Sequence, residues 1–406
     1  MMLALGMRLY RLDAQSLWYD EGFSVYLARM DLSEITHRTA ADIQPPLYYY
    51  LLHGWIDLLG DGEAAPRGLS VLFGVLTVPL LYAVAWQLFR SRLAGLLAAL
   101  LLTISPLHIW YSQEARMYTL LTFLCLLSSY LLLLIVSRAR QKLGEAAAQP
   151  AGLDWVSPAL WVAYTLVSIV ALYTHYFALF VLAFQAVYVL LVWASLLLVS
   201  FRFEEGEGPE QGFGPWSLLV GGLISGAITF LAYVPWLPHL LARYGADVSY
   251  WPGQLKLNEV VVDIVLSFVG GESISEEVGL LLALGLGLIF LLCLIALVVW
   301  TIRSAHNSAA HAPYAVAFVL LYLLLPPALI LALSYNTPKF NARYAMVSQP
   351  ALLLILAGGL AVLWQWRSDS LSNMLCQAAV VLSMLFMLIV AGYADYNAYT
   401  DPAFAR

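Results

Sequence analysis

The stretch LWYDEGFSVYLA, Leu17 to Ala28, puts two adjacent carboxylates, Asp20 and Glu21, at the point where an otherwise oily chain first meets water. Adjacent acids repel. The lowered dielectric beside membrane-seeking sequence makes that repulsion felt, and it gives the pair a reason to bind or abstract something. A local reading stands beside it: Asp20 caps a short helix beginning near Glu21, and Glu21 favours the positive helix end.

Outward from this stretch the composition is that of a polytopic, all-α membrane protein. The hydrophobic share is 62%, only 11% of residues are charged, and the mean hydropathy is +0.82, well away from soluble domains. A formal charge of −6 excludes a basic nucleic-acid footprint. Cys125, Cys293 and Cys376 all lie in apolar runs and read as small buried hydrophobes, not as a disulfide frame or zinc knot.

Upstream of the acidic pair, Met1 to Leu12 is apolar with Arg8 and Arg11 near its end. At about 1.5 Å per residue it reaches about 18 Å, short of the roughly 30 Å hydrocarbon core. It is therefore expected to be the exit half of a first transmembrane helix that begins upstream. From Asp13 to Pro66 the chain is mixed and reads as one large loop with two short helices at the membrane surface. The first is capped by Asp31 with Glu34 and runs through His37 and Arg38. The second opens at Pro45 and Pro46 and carries Tyr48, Tyr49, Tyr50 and Trp55 as interfacial belt residues.

Spanning helices are predicted at about 67–89, 93–112, 117–137, 157–174, 177–200, 215–237, 278–302, 313–334, 345–366 and 374–394. With the first helix that makes about eleven, in a single transmembrane domain covering 1–406 with no separate soluble domain. Parity places the loops at 13–66, 112–117, 174–177, 238–277 and 335–344 on one face. The compact loops of the other face carry arginines flush with helix ends, which favours that face as cytoplasmic.

Nearly every chemically interesting group falls on the first face. Asp20, Glu21, Asp42 and Gln44 come from the large loop; Glu114 and Arg116 sit in SPLHIWYSQEARMY, His175 in LYTHYF, and Lys339 and Arg343 in YNTPKFNARY. Sequence-distant segments meeting at one membrane face point to a site. Each group also has a structural reading. Glu114 and Arg116 can mark a membrane boundary, His175 can be an interfacial histidine bonded to a carbonyl, and Lys339 and Arg343 can be snorkelling end charges. Acids and cations together at a membrane face suit transfer of a group away from a lipid phosphate: a carboxylate activates an acceptor hydroxyl while Arg or Lys stabilises the departing phosphate.

The ordered set of DE after a first helix, D-x-Q-PPLYY over Asp42 to Tyr49, RGLSVLFG over Arg67 to Gly74, SQEARMY over Ser112 to Tyr118, THYF over Thr174 to Phe177 and ARY over Ala342 to Tyr344 resembles the GT-C superfamily of integral membrane glycosyltransferases. It looks most like the branch of the protein O-mannosyltransferases and the aminoarabinose transferase of lipid A. The resemblance implies an inverting transfer from a polyprenyl-phosphate sugar, at the extracytoplasmic face of the cell membrane, to an acceptor protein, glycolipid or polysaccharide. It implies Asp20 as the catalytic acid of the first loop, with Glu21 beside it, and Glu114 as the second-loop acid. Arg343 is implied as the cation for the lipid phosphate. Asp42, Gln44, Arg116, Tyr118, His175, Lys339 and Tyr344 complete the expected substrate-binding set. Some relatives use a divalent metal ion, for which Asp20, Glu114 and His175 are the candidates; Gln44 stands where the family usually has His. The alternatives are a carrier of lipid-linked sugars or an inactive assembly subunit. A carrier needs a polar path, and Leu280 to Val299, Leu352 to Leu363 and Val380 to Val390 offer almost none.

Overall fold

In the chain's computed structural model the description covers all residues except 43, 146–156, 204–213, 244–256, 305–310, 337–340, 367–368 and 405–406. Among the described residues the regular structure is entirely helical. Four short helices come first: α1 (Met2–Leu9), α2 (Tyr19–Ala28), α3 (Leu32–Ala40) and α4 (Leu47–Leu59). The long apolar runs then become α5 (Ala64–Phe89), the pair α6 (Arg92–Thr103) and α7 (Pro106–Ser112), α8 (Tyr118–Glu145), α9 (Pro158–Thr174), α10 (Ala178–Phe203) and α11 (Gly214–Tyr233). After α12 (Leu237–Arg243) and α13 (Leu257–Gly270) follow α14 (Glu276–Ser304), α15 (Ala312–Asn336), α16 (Gln349–Trp364) and α17 (Ser370–Thr400).

Eight of these are long and apolar enough to cross a membrane, and α6 with α7 makes a ninth if that pair, bent by 58°, is one span. The 17-residue α9 is apolar but shorter. These ten elements coincide with the ten predicted spans after the first helix. The stretch expected to be the exit half of an eleventh span forms the eight-residue α1.

Two corrections concern the segments read as loops. The large first loop holds three helices rather than two, since the acidic stretch itself folds as α2. The second long loop contains α12 and α13; the apolar run of α13 is too short to span and is interrupted by Asp263, so it carries no span signal. Tyr250, Trp251 and Pro252 lie outside the described residues. A third correction concerns α4. It packs against α2, α5 and α9, so Tyr48 and Tyr49 are 1% and 0% exposed and belong to the core, not to an interfacial belt.

The α6–α7 break has a local cause. Pro106 lacks an N–H and disfavours helix at the residue before it, and Ser105 caps the new helix by accepting from the His108 N–H. The carbonyls freed at the end of α6 need partners at membrane depth. The fully buried Arg8 supplies them, donating to Leu102 O at 3.1 Å and Thr103 O at 3.2 Å.

The span containing α16 is 94% buried, against 17% for α14, so α16 is the axis of the bundle, and Arg343 and Tyr344 stand in the 3₁₀ turn Ala342–Ser348 that leads into it. Close approach there depends on glycine: a Cβ at Gly359 would lie 2.5 Å from Cys293 Cα and 2.7 Å from its carbonyl oxygen. Small residues at such crossings let helix backbones touch. Gly359→Ala is expected to destabilise the protein by about 1–3 kcal/mol, measured by thermal unfolding in detergent; unchanged stability would show that α14 and α16 can separate freely.

Candidate active site

The acids of the opening stretch take different partners. The helix α2 starts at Tyr19, with Trp18 rather than Asp20 at its N-cap position, and both acids lie in its first turn. Successive helical residues point about 100° apart. Glu21 turns into the protein and is fully buried. Its Oε1 accepts from Arg67 Nε at 2.8 Å and from the Ala115 N–H at 2.8 Å, and its Oε2 accepts from Arg67 Nη2 at 2.7 Å and from the Trp18 N–H at 3.3 Å. Arg67 spends its other donors on Leu12 O, Gln15 O and Ser16 O. This fork-to-fork pair joins the first loop, α5 and the segment after α7.

Asp20 turns the other way. Its side chain is 25% exposed, and its Oδ2 lies 3.4 Å from Arg343 Nη1 and 3.8 Å from Arg116 Nη2. Arg116 also donates to Asp20 O at 3.3 Å and Ser24 Oγ at 3.2 Å. The Arg343 guanidinium carbon stands 5.6–5.9 Å from the ring centres of Tyr118, Tyr344 and Trp18, within cation–π range. Asn341 fixes the start of this segment by accepting from the Arg343 N–H at 3.0 Å. Three segments far apart in sequence thus meet around one carboxylate.

The remaining expected residues sort by distance from this centre. Glu114 is buried, its carbonyl accepts from the Arg116 N–H at 2.8 Å, and its charge is felt at Arg343. Asp42 is half-buried, and Gln44 is buried with its Oε1 unpartnered. Among the described residues neither makes a hydrogen bond to the Asp20 cluster. Tyr49 is close enough to Arg116, Asp42 and Asp20 to feel the charge of each. Lys339 lies outside the described residues.

His175, completely buried, follows α9. Its Nδ1 accepts from the Phe177 N–H at 3.1 Å, so the neutral ring carries its proton on Nε2, which is buried without a partner. Burial first, then the charges of Arg116 and Arg343, push its pKa down to about 3. With Tyr118, Thr122, Arg343 and Tyr344 it lines a narrow pocket beneath Arg343.

Among the described residues no three His, Cys, Asp or Glu side chains converge on a possible metal position. The Asp20 carboxylate faces two guanidinium groups, which would repel a divalent cation.

Two partners were not recognised from sequence. Arg67 lies in the motif RGLSVLFG, where a charge heading a membrane span is a usable signal. Glu272, beyond α13, accepts from Tyr111 Oη at 2.8 Å and brings a further acid to this side of the bundle; a single exposed Glu in a long loop gives no such signal.

The same architecture occurs in solved proteins. ArnT from Cupriavidus metallidurans in the apo state superposes with a TM-score of 0.56 at 14% identity, over 98% of this chain and 75% of that one. Its form bound to undecaprenyl phosphate gives 0.52 at 16% identity, over 97% and 73%. The fold is of the GT-C type. The Archaeoglobus fulgidus oligosaccharyltransferase, in complex with an inhibitory peptide and a dolichol-phosphate, gives 0.52 at 13% identity over 98% of this chain. This chain spans about half, 55%, of that protein's length. The profile of the family described as dolichyl-phosphate-mannose-protein mannosyltransferase matches residues 43–153, from the start of the Gln44–Pro45–Pro46 motif through α8. No curated protein matches the sequence.

Two outcomes are expected. Glu21→Ala or Arg67→Ala alone should cost about 3–5 kcal/mol by leaving a buried charge unpaired, whereas Glu21→Met with Arg67→Met should recover most of that loss; equal stabilities of single and double variants in denaturant titrations would refute the assignment. For His175 the folded pKa lies below the unfolded one, so the unfolded chain takes up the proton first. The stability it lends is full above about pH 6.5 and falls as pH drops towards the folded value, by up to about 1.4 kcal/mol per pH unit. Thermal unfolding of His175→Gln should lose that steepness below pH 6.5.

Proposed function

We propose that this chain is an inverting glycosyltransferase that moves a sugar from a polyprenyl-phosphate donor to an acceptor hydroxyl at the extracytoplasmic face of the membrane. The observation that carries the reading is the Asp20 carboxylate of α2 set against Arg343, in the 3₁₀ turn Ala342–Ser348, and Arg116, in the segment after α7, at one end of the bundle. A base and a pair of phosphate-holding cations are what a single displacement at an anomeric carbon requires. The GT-C fold and the binding of undecaprenyl phosphate by ArnT support a lipid-linked donor.

In the reaction the acceptor oxygen attacks C1 from the side opposite the phosphate. Its proton passes to Asp20 as the new C–O bond forms. The old C1–O bond breaks with its electron pair going to the phosphate, which leaves as the polyprenyl phosphate anion beside Arg343 and Arg116. Glu21 acts as a positioning residue: its pair with Arg67 fixes the first turn of α2 and therefore the direction of Asp20. Glu114 and Tyr118 border the same space, and the neutral His175 ring packs beside Tyr118 and Tyr344. The partners of this reading are the lipid-linked sugar, the surrounding lipids and an acceptor protein, glycolipid or polysaccharide.

The test is sugar transfer, including hydrolysis to water, from a panel of purified polyprenyl-phosphate sugars in nanodiscs. Wild type should consume one donor. Asp20→Asn should lose about 10²- to 10⁴-fold in turnover, and Arg343→Ala should weaken both donor binding and turnover. Binding of a lipid-linked sugar without consumption by well-folded wild type would make the chain a carrier or subunit instead.

A further inference from the structure

Four buried or part-buried arginines, Arg8, Arg67, Arg116 and Arg343, divide into two kinds. Arg8 and Arg67 have their donors filled: Arg67 makes contacts of 2.7–2.8 Å to Glu21 and Arg8 makes bonds to Leu102 O, Thr103 O, Ala4 O and Ser112 Oγ. Arg116 and Arg343 do not. Each has a buried Nε without a partner, and both approach the same oxygen of Asp20, at 3.8 and 3.4 Å. Charge-assisted N–H···O bonds ordinarily close to about 2.7–2.9 Å. The Asp20 contacts are therefore long for their chemistry, and Arg343 keeps donors that a second anion can use. Around the guanidinium stand the faces of Trp18, Tyr118 and Tyr344, with Glu114 near enough for its charge to be felt.

Resting on the glycosyltransferase reading above, we propose that Asp20 and the donor phosphate are alternative partners of Arg343. Asp20 holds Arg343 until a donor arrives. The phosphate, with more acceptor oxygens and a tetrahedral array of charge, then draws the guanidinium away. Asp20 keeps only Arg116 on that oxygen, and with one of its two cations gone the carboxylate becomes a stronger base towards an acceptor hydroxyl. One cation thereby couples the two halves of the reaction: the base is strengthened when a leaving group is seated. Donor binds before acceptor as a consequence, and an acceptor arriving first meets a carboxylate already engaged. The exchange is a population shift whose size equals the difference in affinity of Arg343 for its two partners.

Competition makes a prediction that a purely positioning carboxylate does not. Undecaprenyl phosphate binding is titrated with purified full chain in nanodiscs for wild type, Asp20→Asn, Arg343→Ala and the double variant, over lipid concentrations reaching a hundredfold above the wild-type Kd so that the weaker backgrounds are measured. Asp20→Asn should bind about tenfold tighter than wild type although it no longer transfers sugar. That gain should vanish in the Arg343→Ala background, because the exchange runs through Arg343. Unchanged or weaker binding by Asp20→Asn overturns the proposal. A gain of equal size in both backgrounds also overturns it, since simple removal of a nearby negative charge would then explain the effect. Absence of binding to every folded variant, wild type included, removes the lipid-phosphate reading itself; wild-type binding without the Asp20-dependent gain leaves that reading standing and removes only the exchange.

Discussion

The pair between Glu21 and Arg67 holds the candidate site in register. Both side chains are buried, in surroundings where an unpaired charge is costly. The structure meets that cost by filling both carboxylate oxygens twice and by spending the spare guanidinium donors on three backbone carbonyls of the preceding loop. Because the Ala115 N–H is one of the partners, the first loop, α5 and the segment leading to Arg116 are tied to a single carboxylate. Asp20, one residue earlier in the same helical turn, is then directed about 100° away and meets Arg116 and Arg343.

Charge within this bundle is thus used in two ways, distinguished by satisfaction rather than by burial. Arg8 is fully buried and yet structural, since it caps the carbonyls released where Pro106 breaks the helix. Arg343 is less buried and has fewer bonds, with aromatic rings around it instead of acceptors. Aromatic faces stabilise a cation without consuming its N–H donors. Such a cation is ready for an anionic ligand, whereas a saturated one is committed to the fold. His175 follows the same logic as a neutral group: burial and two nearby arginines keep it unprotonated, and its tautomer is set by the Phe177 N–H.

Much of the architecture was legible in the chain. Ten long apolar runs became helices at the expected places, because a hydrocarbon-length stretch without charges has few other stable outcomes. The grouping of Asp20, Arg116, His175 and Arg343 at one end followed from counting turns between those runs. Less legible were the short elements. The helix α13 is too short and too charged to register as a span, and Tyr48 and Tyr49 look like interfacial anchors although α4 buries them against α2, α5 and α9. A tyrosine has the same composition signal whether its ring faces lipid or protein.

The sequence by itself determined the all-helical membrane class, the order of the spans and which motifs share an end of the bundle, since hydrophobic length and turn parity are properties of consecutive residues. The tertiary structure alone decided which of two adjacent acids is free. Glu21 and Arg67 are 46 positions apart and Asp20 and Arg343 are 323 apart, so neither partnership leaves a local trace. Which carboxylate saturates and which stays open depends on where distant helices place their donors, and only packing brings those donors within reach.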